Sequence, residues 1–253
     1  MTFSEGGSFE GGRVRSRRGG AAAAGGGVGL LAIVGFLVFQ FTGVDLGPAL
    51  EQTQQGSGAR PQETTVGQCS AEQANADRAC RLSATVQSLD AYWGPVLAEA
   101  GVDLPLPEVV EFTGSTTSGC GQATAATGPF YCPTDQSIYM DLGFFDLLQT
   151  QFGASDGPLA EMYVTAHEYG HHVQNISGVF DTADRSAGSG AGQVRLELQA
   201  DCYAGMWVGE AATTVDPDTG EVFLEPITAE QLTAALSAAE AVGDDHIQES
   251  SGG

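Results

Sequence analysis

His167-Glu168-Tyr169-Gly170-His171 sets two imidazoles four residues apart with a carboxylate directly after the first. On a helix, positions i and i+4 share a face with Cβ atoms about 5–6 Å apart, so both rings can turn a nitrogen toward one ion at about 2.0–2.1 Å. Glu168 then stands beside the ion rather than on it, placed to take a proton from an attacking water. Amide hydrolysis needs this combination. Water is a weak nucleophile toward an amide until its pKa falls, and zinc lowers that pKa to about 7. A structural zinc site is the competing reading, but such sites use four protein ligands and have no need of a glutamate beside the first histidine. His172 is turned about 100° away on the same helix and does not join the pair.

A third ligand is expected from a neighbouring helix. The segment 193–212 carries Glu197-Leu198-Gln199-Ala200-Asp201, whose two carboxylates again share one face. Glu197 is the candidate third metal ligand. Asp201 is the candidate partner for the second nitrogen of His167, where it would fix tautomer and ring orientation. On most helices such an acidic pair is a solvated face. Here it follows an H-E-x-x-H and is interleaved with Leu196, Leu198 and Ala200.

The elements that must position these groups follow from periodicity and capping. Pro158–Ile176 is expected as the motif helix, with Pro in its first turn and apolar Leu159, Met162, Tyr163 and Ala166 on one side. Further helices are expected over 83–100, interrupted near Gly94-Pro95, over Phe144–Phe152, and over 228–242 behind a Thr228 cap. Glu108–Thr113 and 137–142 read as strands. Helices with a few strands in this order predict an α+β domain. Trp93, Phe112, Phe130 and Trp207 are expected in its core, and Gly170 is expected to let a neighbouring element approach the motif helix. Asp244 and Asp245 lack the further oxygen ligands of a calcium site and read as a helix end.

The chain has 253 residues with a net charge of -23, from 32 acidic residues against 9 basic ones, all of them arginine. Such a surface repels phosphate backbones, which excludes nucleic acid as a natural partner. Four of the arginines, Arg13, Arg15, Arg17 and Arg18, precede a run without charge from Gly19 to Val44. Roughly 20 apolar residues suffice to span a bilayer, so the run predicts one transmembrane helix, with the arginine flank holding the amino terminus in the cytoplasm. A cleaved signal peptide is the competitor, but the run is long and no small-x-small cleavage site follows it. The expected organisation is a cytoplasmic basic tail over 1–20, a transmembrane helix over 21–44, a flexible linker over 45–67 and a metallopeptidase domain over 68–253. The protein would then sit in the cell membrane with a single pass and an extracytoplasmic domain.

Cysteine usage agrees with that compartment. Cys69 and Cys80 form one local pair and Cys120 and Cys132 another, the spacing of two small disulfide loops and not of a C-x2-C zinc knuckle. Cys202 is left over, as a buried free thiol or one whose partner this chain does not contain.

The blocks CSAEQANADRAC, SGCGQATAATGPFYCPTDQSIYMDL, VTAHEYGHHVQN, VRLELQADCYAGMW and GDDHIQ, in this order, resemble the predicted neutral zinc metallopeptidases of bacteria, which are anchored by one amino-terminal span. The resemblance covers most of residues 69–248. It implies a zincin-like fold, one zinc ion held by His167, His171 and Glu197, Glu168 as acid-base, and polypeptide as substrate. Members of that family continue past the GDD-x-x-Q block into a segment with a His-Gly pair and a late cysteine, so this chain is expected to lack a carboxyl-terminal segment. Tyr203 and His246 are the remaining candidates for stabilising an oxyanion. Two functions from different classes follow: a membrane-anchored zinc endopeptidase, and a tethered, zinc-stabilised binding or assembly protein without turnover. A protease that cuts within the membrane is disfavoured, because the motif lies far beyond the only apolar run.

Overall fold

Strands and helices alternate along the chain because its apolar residues change period from two to about three and a half, and their hydrogen bonds are laid out in a computed structural model of the protein. It describes residues 2–18, 62–124, 127–152, 157–182 and 191–242. In chain order the elements are β1 (Ser8–Phe9), β2 (Val14–Arg18), β3 (Gln62–Thr65), β4 (Cys69–Ser70), α1 (Ala71–Ala76), α2 (Arg78–Glu99), β5 (Glu108–Thr113), β6 (Ser115–Ser118), β7 (Gly121–Thr124), β8 (Phe130–Cys132), β9 (Ser137–Asp141), α3 (Phe144–Phe152), α4 (Pro158–Ile176), α5 (Val179–Thr182), α6 (Ala191–Glu210) and α7 (Ala229–Val242). The mixed helix-and-strand class is as expected from the sequence.

A five-stranded sheet runs in the order β3-β2-β5-β9-β8. Its middle pair is parallel, with Val109 opposite Ile138 and Val110 opposite Tyr139. β8 closes it antiparallel to β9, with Tyr131 opposite Ile138. β9 is buried along its whole length, as a strand must be when both faces are covered. The helix α4 packs on α2, α6 and α7. Their common core holds Leu89, Trp93, Ile138, Met140, Met162, Tyr169 and Trp207. Trp207 donates its indole N–H to Ser88 Oγ at 3.1 Å, which satisfies a polar atom that burial would otherwise leave unpaired. Trp93, Phe112 and Trp207 are buried as expected, and Phe130 packs at the edge of a smaller cluster around Val110 and Tyr139.

Two boundaries differ from expectation for local reasons. α2 begins earlier because Asp77 caps it, accepting from the Cys80 N–H at 3.0 Å. It also runs through Gly94-Pro95 without a break. Pro95 lies in the last turns, where it removes one hydrogen bond, while Trp93 and Leu97 on either side are anchored in the core.

The expected disulfides, Cys69–Cys80 and Cys120–Cys132, are both formed. The first ties β4 and α1 to α2; the second ties the hairpin β6–β7 to β8. Cys202 is free and exposed, not buried.

The larger departure is at the amino terminus. The residues expected to form a separate basic tail over 1–20 instead contribute β1 and β2, and residues 2–17 belong to the same compact unit as the domain. Phe3, Phe9 and Val14 are core residues. The last part of the expected linker over 45–67 is strand β3. The expected transmembrane helix over 21–44 lies outside the described residues. Among the described residues no helix is long and apolar enough to cross a membrane.

Candidate metal centre

α4 carries His167 and His171 one turn apart, with ring centroids 4.8 Å from each other. α6 crosses close to it because residue 170 is glycine. A Cβ there would sit 3.0 Å from the Ala200 carbonyl oxygen and 3.1 Å from Ala200 Cα. This contact brings Glu197 and Asp201, on either side of Ala200 in α6, against the two imidazoles. Glu197 Oε2 lies 3.1 Å from His167 Nε2 and 3.3 Å from His171 Nε2. Two ligands each about 2.0–2.1 Å from a tetrahedral zinc are about 3.4 Å apart, which is close to these two spacings, and the three candidate ligand atoms all lie within 4.8 Å of one another.

The remaining hydrogen bonds decide which ring nitrogen is free to bind. His167 Nδ1 is 2.9 Å from Asp201 Oδ1, a carboxylate that can only accept. That nitrogen therefore carries a proton, and Nε2 is the ring nitrogen turned inward, toward Glu197. His171 Nδ1 is 2.9 Å from Gln174 Oε1. The amide of Gln174 is oriented by its own nitrogen, which donates to the Leu196 carbonyl at 2.7 Å and to Gln199 Oε1 at 3.0 Å. Its oxygen must then accept from His171 Nδ1, and again Nε2 is the nitrogen turned toward Glu197. Two Nε2 atoms and a carboxylate oxygen converge, an arrangement that a cation, whether protons on the rings or a metal ion in their place, would hold together.

The titration of the site's groups reflects the same demand. Burial opposes charge on His167, but its hydrogen bonds to Asp201 and Glu197 outweigh burial and raise its pKa to about 10. Burial likewise pushes Glu197 up, and the bonds from His167 and His171 override it, to about 2. Among the described residues, His167, His171 and Glu197 form the group able to hold a metal ion. It contributes three protein donors, the number that leaves zinc a position for water or substrate.

Glu168 is 4% exposed, in contrast to Glu197, whose side chain keeps 29% of its surface. Burial raises the Glu168 pKa, with His167 and His171 opposing the rise, and the Tyr131 backbone N–H of β8 reaches its carboxylate. A buried carboxylate beside a cation site is placed to accept and return a proton.

Several supporting residues escaped sequence reasoning. Gln174 sits three positions beyond His171 on the same face, so helical spacing was its one available signal. Tyr163, a turn before His167, donates to Asp201 Oδ1 at 3.2 Å. His172 is fully buried, with Nε2 2.7 Å from the Pro105 carbonyl and Nδ1 3.1 Å from Tyr131 OH. Because a carbonyl accepts, Nε2 carries the proton and the Tyr131 hydroxyl donates to Nδ1. Asn175 in turn donates to that hydroxyl at 2.9 Å. Tyr203 stacks edge-on against Trp93, with centroids 5.3 Å apart, as a packing residue. His246, Asp244 and Asp245 lie outside the described residues.

Residues 4–253 match the family described as "Putative neutral zinc metallopeptidase". The chain belongs to this family. An uncharacterized protein of Mycobacterium bovis is 50% identical over 175 residues, which cover 69% of this chain and 58% of that protein. The uncharacterized protein Rv2575 of Mycobacterium tuberculosis matches with the same figures. The uncharacterized protein YpfJ of Escherichia coli K12 is 34% identical over 238 residues, covering 89% of this chain and 74% of that one. The chain thus spans less than two thirds of the length of its mycobacterial relatives. No solved structure matches it.

Proposed function

We propose that this member of the zinc metallopeptidase family is an endopeptidase with a zincin-like active centre, in which His167, His171 and Glu197 hold one zinc ion and Glu168 is the general base. The observation that carries the proposal is the convergence of two Nε2 atoms and Glu197 Oε2, with the buried Glu168 carboxylate next to the first histidine. Zinc, when bound, lowers the pKa of water and polarises the scissile carbonyl. The protein's own groups supply the rest. Glu168 takes the proton from the attacking water and returns it to the departing amine. Asp201 and Gln174 keep His167 and His171 in the tautomer that presents Nε2.

Among the described residues β8 is an edge of the five-stranded sheet, and its Tyr131 backbone meets Glu168. An extended substrate segment laid along this edge would bring its peptide bond to the base through main-chain pairing. We propose polypeptide outside the cytoplasm as substrate. The supporting observation is the pair of local disulfides, which persist in oxidising compartments. Attachment to a membrane rests on the uncharged run between Gly19 and Val44.

The test is Glu168→Gln. The variant is expected to retain one equivalent of zinc while hydrolysis of an unstructured protein substrate falls by about 10²–10⁴-fold. Undiminished hydrolysis would remove Glu168 from the chemistry. Zinc binding with no hydrolysis by the wild-type protein across varied substrates would point instead to a zinc-stabilised binding protein.

A further inference from the structure

The amino-terminal arm, residues 2–17, is built into the domain at every level. Phe3, Phe9 and Val14 are at most 2% exposed. The Ser4 N–H donates to the Phe223 carbonyl at 3.0 Å, Glu225 N–H to the Thr2 carbonyl at 2.9 Å, and Ala71 N–H to the Gly7 carbonyl at 2.8 Å. Asn75 clasps the start of the arm, accepting from the Thr2 and Phe3 N–H groups at 3.0 and 2.9 Å and donating to the Phe3 carbonyl at 3.0 Å. β2 is an interior strand, between β3 and β5.

Three of the arginines that read as a cytoplasmic flank, Arg13, Arg15 and Arg17, have partners in the same domain. Arg13 grips both oxygens of Asp90, at 2.9 and 3.2 Å, and donates to the Pro107 carbonyl at 3.2 Å. Arg15 pairs with Glu108 at 2.8 Å, and Arg17 with Glu63 at 3.4 Å. Asp90 Oδ1 also accepts from the hydroxyl of Tyr169 at 2.8 Å. Tyr169 is the middle residue of the metal motif, so the arm reaches the motif helix through two side chains.

The two ends of the connection between β2 and β3 therefore lie side by side, with Arg17 touching Glu63. A single membrane crossing separates its ends by the hydrocarbon thickness, about 30 Å. A pair of residues in contact cannot stand on opposite sides of such a layer. Coming back across would need a second stretch of roughly 20 apolar residues, and 45–61 contains Asp45, Glu51 and Arg60 among glutamines and glycines. We infer that residues 2–17 and the metal-site domain lie on the same side of any membrane the chain meets, the arm being part of the folded domain rather than a tail beyond the far face.

Two readouts on the full chain test this, and neither uses hydrolysis, so failure here is separable from failure of the peptidase reading. The domain carries a native reporter in the exposed Cys202. The arm receives one at the exposed Glu5, as Glu5→Cys in a Cys202→Ser background. A membrane-impermeant maleimide is added to intact and to lysed cells, and the labelled residue is identified by peptide mass spectrometry. Both reporters are expected to label in intact cells, or both only after lysis. Labelling of one in intact cells and of the other only after lysis would overturn the inference. Hydrogen exchange on the unmodified chain in lipid vesicles gives the second readout. The Ala71 and Glu225 amides, which donate to the arm, are expected to be protected together with the α4 amides. Free exchange at both while α4 stays protected would show the arm undocked and would equally overturn the inference.

Discussion

Replacing Gly170 by alanine tests the contact on which the site geometry depends. The added methyl would lie 3.0 Å from the Ala200 carbonyl oxygen and 3.1 Å from Ala200 Cα, both backbone atoms that cannot swing aside. Relief to an ordinary contact requires α6 to move by a few tenths of an ångström at the residue next to Asp201. Overpacking of this kind costs about 1–3 kcal/mol. The same substitution gains about 1 kcal/mol of helix propensity, so the net effect on stability is about 0–2 kcal/mol of loss. A matched control isolates the contact. Gly205 lies in the same helix as Ala200, and a Cβ built there meets nothing within 4 Å. Gly205→Ala gains the propensity term alone. The two variants should therefore differ by about 1–3 kcal/mol, which for a domain of this size is about 2–12 °C in melting temperature. Zinc affinity, measured by competition with a chelator, should fall about 10–100-fold in Gly170→Ala and stay unchanged in Gly205→Ala. Equal melting temperatures and equal zinc affinities for the two variants would refute the argument that residue 170 sets the approach of Glu197 and Asp201.

Two further outcomes follow from the site's hydrogen bonds. Asp201→Ala and Gln174→Leu each strip the Nδ1 partner from one imidazole, and each should lower zinc affinity by about 10–100-fold, measured by chelator competition. Burial, opposed by the bond to Pro105 and aided by Arg13, depresses the His172 pKa to about 4. The folded state then binds fewer protons than the unfolded chain, whose histidine titrates near 6.5. Stability is full above about pH 6.5 and is lost as pH falls toward 4, by about 3 kcal/mol at most. Urea unfolding of the wild type and of His172→Gln, compared at pH 7 and pH 4.5, should show the wild type losing more. The difference between the two cancels the contribution of the metal ligands they share.

The three residues that cluster at the candidate metal centre, and the elements beneath them, were legible because their signals are local. Pro158–Ile176, Glu108–Thr113 and Phe144–Phe152 fall where periodicity and end residues put them. The last helix begins behind a reciprocal Thr228–Gln231 cap. What stayed hidden depends on contacts between distant segments. Tyr131 and Asp90 support the motif from far away in sequence, and β8 is only three residues long. The arm misled for a physical reason. Val14 and Ser16 point inward while Arg13, Arg15 and Arg17 alternate outward, the pattern of a strand with one buried face. Four arginines before an uncharged run carry the same residues as a membrane-topology flank, and only the carboxylates of Asp90, Glu108 and Glu63 distinguish the two.

The residues of the motif helix other than the candidate ligands His167 and His171 explain why its sequence is so particular. Together they join α4 to three neighbours. Tyr169 bonds to Asp90 of α2, which Arg13 holds from the arm. Gly170 admits the backbone of α6. His172 and Asn175 fix the hydroxyl of Tyr131 on β8, whose backbone meets Glu168. Gln174 spans from His171 to the Leu196 carbonyl. A helix held from three sides has little freedom to rotate or slide, and a metal-ligand geometry, which must be kept to within about 0.5 Å, would require that restraint. Substitutions at Tyr169, Gln174 or Asn175 should therefore disturb the metal site more than their distance from the ion suggests, because each releases one of the contacts that fix the angle of α4.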